Sequence, residues 1–236
     1  MRYLLTSIFC LFLSLSYAQS EFITTWKTDN PGVSEDNQIT IPSYFGNITQ
    51  FNVAWGDGTE TTFTSSANIT HTYSVPGTYI VEITGDFIGL NFNNDGDKEK
   101  IISVDQWGAI PWASTQTAFR GCTNLNVIAT DSPDLSQVSS MNQMFFECSS
   151  LIGNASFNNW DTSNVSSMDS LFAYCTLFNQ PIGNWNVENV INLGGTFLGC
   201  SSFNQYIGDW DVQNVESMVF TFGEATAFNQ NIGNWN

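Results

Sequence analysis

Basic side chains are scarce in this chain: 5 Lys and Arg stand against 22 Asp and Glu, a formal net charge of −17 over 236 residues. Such a charge repels nucleic-acid phosphates and anionic lipid headgroups, which excludes both as partners. Histidine is scarcer still, with His71 alone. It has no second imidazole to complete a metal or catalytic pair, and no H-E-x-x-H, G-x-S-x-G or Walker-type loop occurs. Paired carboxylates could still cleave glycosides, but the acids are scattered along turns. The chain therefore reads as a non-enzyme that holds no cofactor and no metal. Beyond the first 18 residues no apolar run approaches the roughly 20 needed to cross a bilayer, so no membrane insertion is expected. Apolar residues as a class are not lacking. They make up 42% of the chain, with 19 Phe and 8 Trp, which excludes disorder.

The apolar run that does exist lies at the start. Arg2 precedes Leu4 to Leu15, and Ser16-Tyr17-Ala18 supplies small residues before Gln19. This is the pattern of a secretory signal peptide cleaved after Ala18. Cys10 sits inside the run behind bulky Phe9, without the small residues of a lipoprotein signal. The secreted chain then keeps only Lys27, Lys98, Lys100 and Arg120 as basic residues and carries a formal charge of −18.

Residues 20–86 show the two-residue period of strands. Phe22 to Thr28, Gln38 to Ile41, Gln50 to Trp55 and Thr78 to Thr84 alternate between turn signals at Asn30-Pro31-Gly32, Gly56-Asp57-Gly58 and Pro76-Gly77. Short strands at this spacing predict an immunoglobulin-like β-sandwich. WGDG (55–58) and HTYSVPGTYIVEITG (71–85) resemble the polycystic-kidney-disease-type (PKD) module, a β-sandwich spacer of extracellular proteins. The resemblance implies structural motif residues, with Asp57 capping its turn and His71 bonding backbone near the paired strand.

Residues 87–99 read as a polar junction. Asn93, Asp95 and Asp97 around Gly96 superficially resemble a calcium loop, but no acid follows at EF-hand spacing. Asx residues around a glycine are ordinary turn formers.

From residue 100 to 236 a phrase recurs at intervals of 25 residues, with Trp160, Trp185, Trp210 and Trp235 in one phase. A fixed period between 20 and 50 residues marks a stacked repeat architecture. Phe119 and Cys122 follow Trp107 at the offsets that Phe172 and Cys175 keep from Trp160, so the array starts near residue 100. A degenerate copy carries Pro133 in the Trp phase, and two extra residues precede Trp160. The apolar columns are Val138, Val165, Val190 and Val215; Met141, Met168, Leu193 and Met218; Phe119, Phe145, Phe172, Phe197 and Phe222; and Leu125, Leu151, Phe178, Phe203 and Phe228. Val165, Met168 and Phe172 at offsets of 3 and 4 suggest one face of a short helix, and the Ile-x-x-Trp arm a short strand.

Polar columns recur too. Asn179, Asn204 and Asn229, and Asn164, Asn189 and Asn214, are expected to ladder between repeats. Cys122, Cys148, Cys175 and Cys200 share one phase that continues at Ala225, which favours a packed column of thiols. Neighbouring coils lie about 4.8 Å apart, so disulfides between them remain an alternative. The chain stops one residue past Trp235, which reads as a break within a repeat and hence as a fragment.

Trp185-Asn186, Asn189-Val190, Leu193, Phe197, Cys200 and Phe203 carry a pattern similar to that of bacterial BspA-like leucine-rich-repeat surface proteins, and QWG followed by FRGCTNL (119–125) looks like their entry coil. The resemblance implies a leucine-rich-repeat solenoid that is secreted or displayed at the bacterial surface, monomeric, and used for adhesion to an extracellular protein or glycan. It fixes no ligand-binding residue. A structural spacer or surface-layer element is the alternative reading, and an accessory module of a larger secreted enzyme a lesser one.

Overall fold

A computed structural model describes residues 21–44, 46, 50–65 and 68–235; the proposed signal peptide lies outside the described residues. The structure is mainly β with almost no helix. Alternation of buried and less buried residues builds the strands β1 (Phe22–Lys27), β2 (Gln38–Pro42), β3 (Phe51–Ala54) and β6 (Thr78–Gly85). Two further strands, β4 (Glu60–Phe63) and β5 (Asn68–Thr72), were not expected from the sequence. Then follow β7 (Ile101–Gln106) and the two-residue β8 (Asn126–Val127).

One six-stranded sheet runs β4-β3-β6-β1-β7-β8, and β2 pairs with β5 separately. β1 lies between β6 and β7, antiparallel to both, while β8 joins β7 in parallel. The sheet therefore crosses the position near residue 100 where the repeats begin. Phe22, Trp26, Ile39, Phe51 and Val81 belong to the same continuous core as Trp107, Phe119 and the later repeat columns.

The junction is also tied in. Phe92, Asn93 and Asn94 donate their amides to the carbonyls of Ala118, Thr117 and Arg120, so this segment covers the outer edge of the first repeat. Asp97 and Lys100 are fully buried. The Asp97 carboxylate accepts from the amides of Val33, Ser34 and Thr40 and from Ser34 Oγ. Lys100 Nζ donates to the carbonyls of Ser34, Glu35 and Gln38 at 2.8–3.0 Å, and to Ser34 Oγ. The acid that resembled a calcium ligand instead organises the 33–40 loop, with the chain's own ammonium beside it.

Between Thr117 and Gly223 the repeats stack in register. The amides of Met141, Gln143, Phe145 and Glu147 donate to the carbonyls of Ser167, Asp169, Leu171 and Ala173. Those of Met168, Ser170, Phe172 and Tyr174 reach Asn192, Gly194, Thr196 and Leu198 in turn. Parallel bridges link Ser140, Ser167, Asn192 and Ser217.

These bonds correct the expected helices. In each repeat alternate amides leave for the next repeat, and the rest close three-residue turns, as Leu171 to Met168 and Cys175 to Phe172 do. An α-helix needs each of those amides for its own i−4 carbonyl, so the two patterns compete and the turns prevail. Offsets of 3 and 4 still bring Val165, Met168 and Phe172 to the core. The strand-like arm is likewise not at Ile-x-x-Trp, which is a turn closed by the Trp185 amide on Ile182, but at the serine bridges. A 3-10 helix, Ala155–Asn159 with Asn154 as cap, takes up the two extra residues and buries Phe157 against Trp160 at 4.4 Å.

Candidate functional site: the outward face of the repeats

Most recurring residues are used inside. Phe119, Phe145, Phe172, Phe197 and Phe222 stack at 5.6, 5.7, 6.1 and 5.6 Å between successive rings. Trp160, Trp185 and Trp210 are 3–4% exposed and stack on one another at 6.0 and 6.4 Å. Trp185, Trp210 and Trp235 each donate Nε1 to a carbonyl of the preceding repeat (Phe157, Ile182 and Ile207). Trp160 Nε1 is buried without a partner, and it belongs to the tryptophan that follows the Pro133 repeat.

The cysteines are free and buried. Cys148, Cys175 and Cys200 donate Sγ–H to the carbonyls of Phe119, Phe145 and Phe172. Burial pushes all four thiols up, Cys200 to about 12. They form a packed column, and the disulfide alternative is set aside.

Both asparagine ladders are present, at solvent-exposed edges instead of buried positions. Asn164, Asn189 and Asn214 donate Nδ2 to the carbonyls of Ser136, Ser163 and Glu188. The amides of Asn204 and Asn229 donate to the side-chain oxygens of Asn179 and Asn204.

One surface of the repeats is the arm between the methionine column and the cysteine column, where exposed and half-buried positions are interspersed with buried ones. Two positions in each repeat adopt the left-handed conformation: Gln143 and Glu147, Ser170 and Tyr174, Gly195 and Gly199, and Phe220 and Glu224 (φ between +54° and +70°). Each occupies the third position of a turn, and a positive φ there sets these turns apart from the commoner type I. Two positions of this arm carry different residues from repeat to repeat: Asn142, Asp169, Gly194 and Val219 at one, and Phe146, Ala173, Leu198 and Gly223 at another, with Ala173 and Gly194 buried. Tyr174 meets Phe146 edge-on at 5.6 Å, and Arg120 lies 5.2 Å over Phe146. Over Gly194 and Gly195 the face sinks into an open cavity of about 240 Å³, bounded by Asp169, Ser170, Leu198, Val219 and Phe220.

A family model described as a Mycoplasma protein of unknown function, DUF285, matches residues 113–236, more than half of the chain. The chain belongs to the DUF285 family. No curated protein and no solved structure matches it. The DUF285 match covers every repeat that contributes to the outward arm from Thr117 onward.

Away from the repeats, Asp57 caps its turn as expected, accepting from Thr59 N and Oγ1. His71 departs from expectation. Its Nε2 bonds the Asp57 carboxylate at 2.8 Å instead of backbone, and its ring stacks on Trp55 at 4.5 Å. The cause is the β-ladder: Ile39 faces His71 across β2 and β5, so the backbone there is already paired. Burial raises the Asp57 carboxyl, but the bonds from Thr59 and His71 outweigh it and hold it down at about 2. Among the described residues no group of three or more His, Cys, Asp or Glu side chains is placed to hold a metal. None of the described helices is long and apolar enough to cross a membrane.

Proposed function

We propose that this chain is a secreted bacterial surface protein whose repeats form a leucine-rich-repeat solenoid of the BspA-like kind. In this reading a PKD-type β-sandwich precedes the solenoid, and the solenoid serves adhesion, binding an extracellular protein or glycan without catalysis. The observation that carries the reading is the division of labour among repeat positions. The constant columns are consumed by ring stacks, thiol–carbonyl bonds and amide ladders. Positions on the outward arm, among them Asn142, Asp169, Gly194 and Val219, change from repeat to repeat. A fold that holds its inside fixed and frees one face presents a long surface suited to a macromolecule. Exposed Tyr174 and Phe220 supply aromatic contacts of the type that dominate binding energy.

The test is a panel of matrix proteins and glycans offered to the full secreted chain, followed by Tyr174→Ser and Phe220→Ser. Both side chains are exposed, so folding is retained and near-ultraviolet circular dichroism stays unchanged. Binding that weakens in these variants supports the reading. A chain that binds nothing on the panel acts as a spacer, and the proposal fails. Secretion has its own check: the mass of the exported protein should begin at Gln19.

A further inference from the structure

The cavity over Gly194 and Gly195 combines three features. One wall is apolar and open to solvent: Phe220 is 72% and Val219 64% exposed. Another part of the wall is Asp169, whose Oδ1 stands 3.0 Å from the point where a Cβ on Gly194 would lie, beside the floor. Asp169 Oδ2 takes the Ser170 hydroxyl at 3.2 Å, and among the described residues no side-chain cation pairs with the group. The third feature belongs to the whole array. After Arg120 the sequence holds no Lys, Arg or His, while Asp131, Asp134, Glu147, Asp161, Asp169, Glu188, Asp209, Asp211, Glu216 and Glu224 remain. Arg120, over Phe146 at the first-repeat end of the arm, is the last cation in the sequence; beyond it, around the cavity, the field is negative and attracts cations toward a depression with an aromatic side.

We propose that this cavity receives a cationic side chain, arginine above all, from a partner polypeptide. A planar guanidinium matches both walls at once. Its face stacks on an aromatic ring, and its edge donates to a carboxylate. Lysine offers one charge without the plane. A neutral glycan can donate hydroxyls to Asp169 but gains nothing from the surrounding field, and an acidic glycan is opposed by it. The proposal rests on the reading of the outward arm as a binding face, and it names the chemistry of the partner there.

The experiment titrates the full secreted chain with the peptide (Arg-Gly-Ser)4 and with its lysine, citrulline and glutamate counterparts, by calorimetry at two salt concentrations. The arginine peptide is expected to bind most tightly and to weaken at the higher salt. Citrulline, which keeps the plane and loses the charge, should bind about tenfold more weakly. Asp169→Asn and Phe220→Gly should each weaken arginine binding by roughly three- to tenfold; glycine suits the left-handed φ at residue 220. Gly194→Ala, whose φ is ordinary, fills the floor and should act likewise. Glu188→Gln removes the same charge at an exposed site that does not line the cavity, and should change nothing.

Equal binding of arginine and citrulline peptides overturns the proposal. So does a loss with Glu188→Gln equal to that with Asp169→Asn, since attraction is then diffuse and no cavity is needed. If all four peptides fail while a panel ligand depends on Tyr174 and Phe220, this proposal falls and the adhesion reading stands. If no ligand of any kind responds to the outward arm, both fall.

Discussion

Replacing Lys100 with Met tests the coupling between the N-terminal strands and the repeats. Methionine keeps most of the side-chain volume and removes only the ammonium, which is fully buried and serves four oxygens of the 34–38 loop. Asp97, also fully buried, bonds the same Ser34 hydroxyl from the other side, at 2.5 Å. Asp97 Oδ1 and Lys100 Cε both lie against Gly32, near the place its Cβ would take.

Each bond to a buried charge contributes about 1.5–3 kcal/mol, although such terms do not add. Removing one member of a buried charge arrangement typically costs about 3–5 kcal/mol, because the remaining charge and acceptors stay desolvated. We take that range for Lys100→Met, which corresponds to a fall in melting temperature of roughly 6–20 °C for a domain of this size. Urea unfolding followed by tryptophan fluorescence is the assay. Lys98→Met, whose Nζ bonds exposed Asn94, is the control and should stay within about 0.5 kcal/mol. Adding Asp97→Asn to Lys100→Met should cost less than the two single losses combined. A cost below about 1 kcal/mol for Lys100→Met would refute the argument that the ammonium holds the loop.

The left-handed positions predict that Gly199→Ala destabilises by at least about 1–2 kcal/mol. Its φ is +70° and a Cβ would meet the Tyr174 ring at 2.6 Å, so the urea midpoint should fall. Ser170→Gly, at φ +54° in the same fold, should cost nothing or raise the midpoint slightly, by roughly 1 kcal/mol at most. Asp57 gives an acid limb. Its folded pKa of about 2 lies below the ordinary 3.8, so its contribution is present above pH 4 and is lost as pH falls toward 2. Acid titration of tryptophan fluorescence should show a shallower loss over that window for Asp57→Asn. The cysteines, buried and with raised pKa values, should resist a thiol reagent at pH 8 in the native protein and react once it unfolds. Rapid labelling of the native protein would contradict the packed column.

Legibility in the sequence followed the range of the interaction. β1, β3 and β6 announce themselves because Phe22, Trp26, Val53, Val81 and Ile83 alternate with less buried neighbours. β4 does not: Glu60, Thr61 and Thr62 are all exposed on an edge strand, and no apolar period marks them. The columns of Phe, Trp and Cys were visible as period alone, and all three are buried as stacks. The helix reading of Val165, Met168 and Phe172 failed because spacing reports which residues share a side, not how the chain gets from one to the next. The partner of His71 was missed because Asp57 is 14 residues away, in the turn between β3 and β4, and is brought near only where His71 of β5 packs against Trp55. For the cavity, the cation-free sequence after Arg120 was a signal that could be read, but the neighbourhood of Asp169, Gly194 and Phe220 was not.

By itself, then, the sequence determined the period of the repeats, the side chains they bury, the strands with an apolar face and the uncompensated negative charge. These are local or compositional properties, set by residue type and spacing along one stretch of chain. Tertiary structure alone decided where the amides go. Their partners lie 24 to 26 residues away, and satisfying them forces Gln143, Ser170 and Phe220 into left-handed backbone that their residue types do not favour. The burial of Lys100 and Asp97 belongs to the same class, since a charge leaves water only when distant segments converge to replace it.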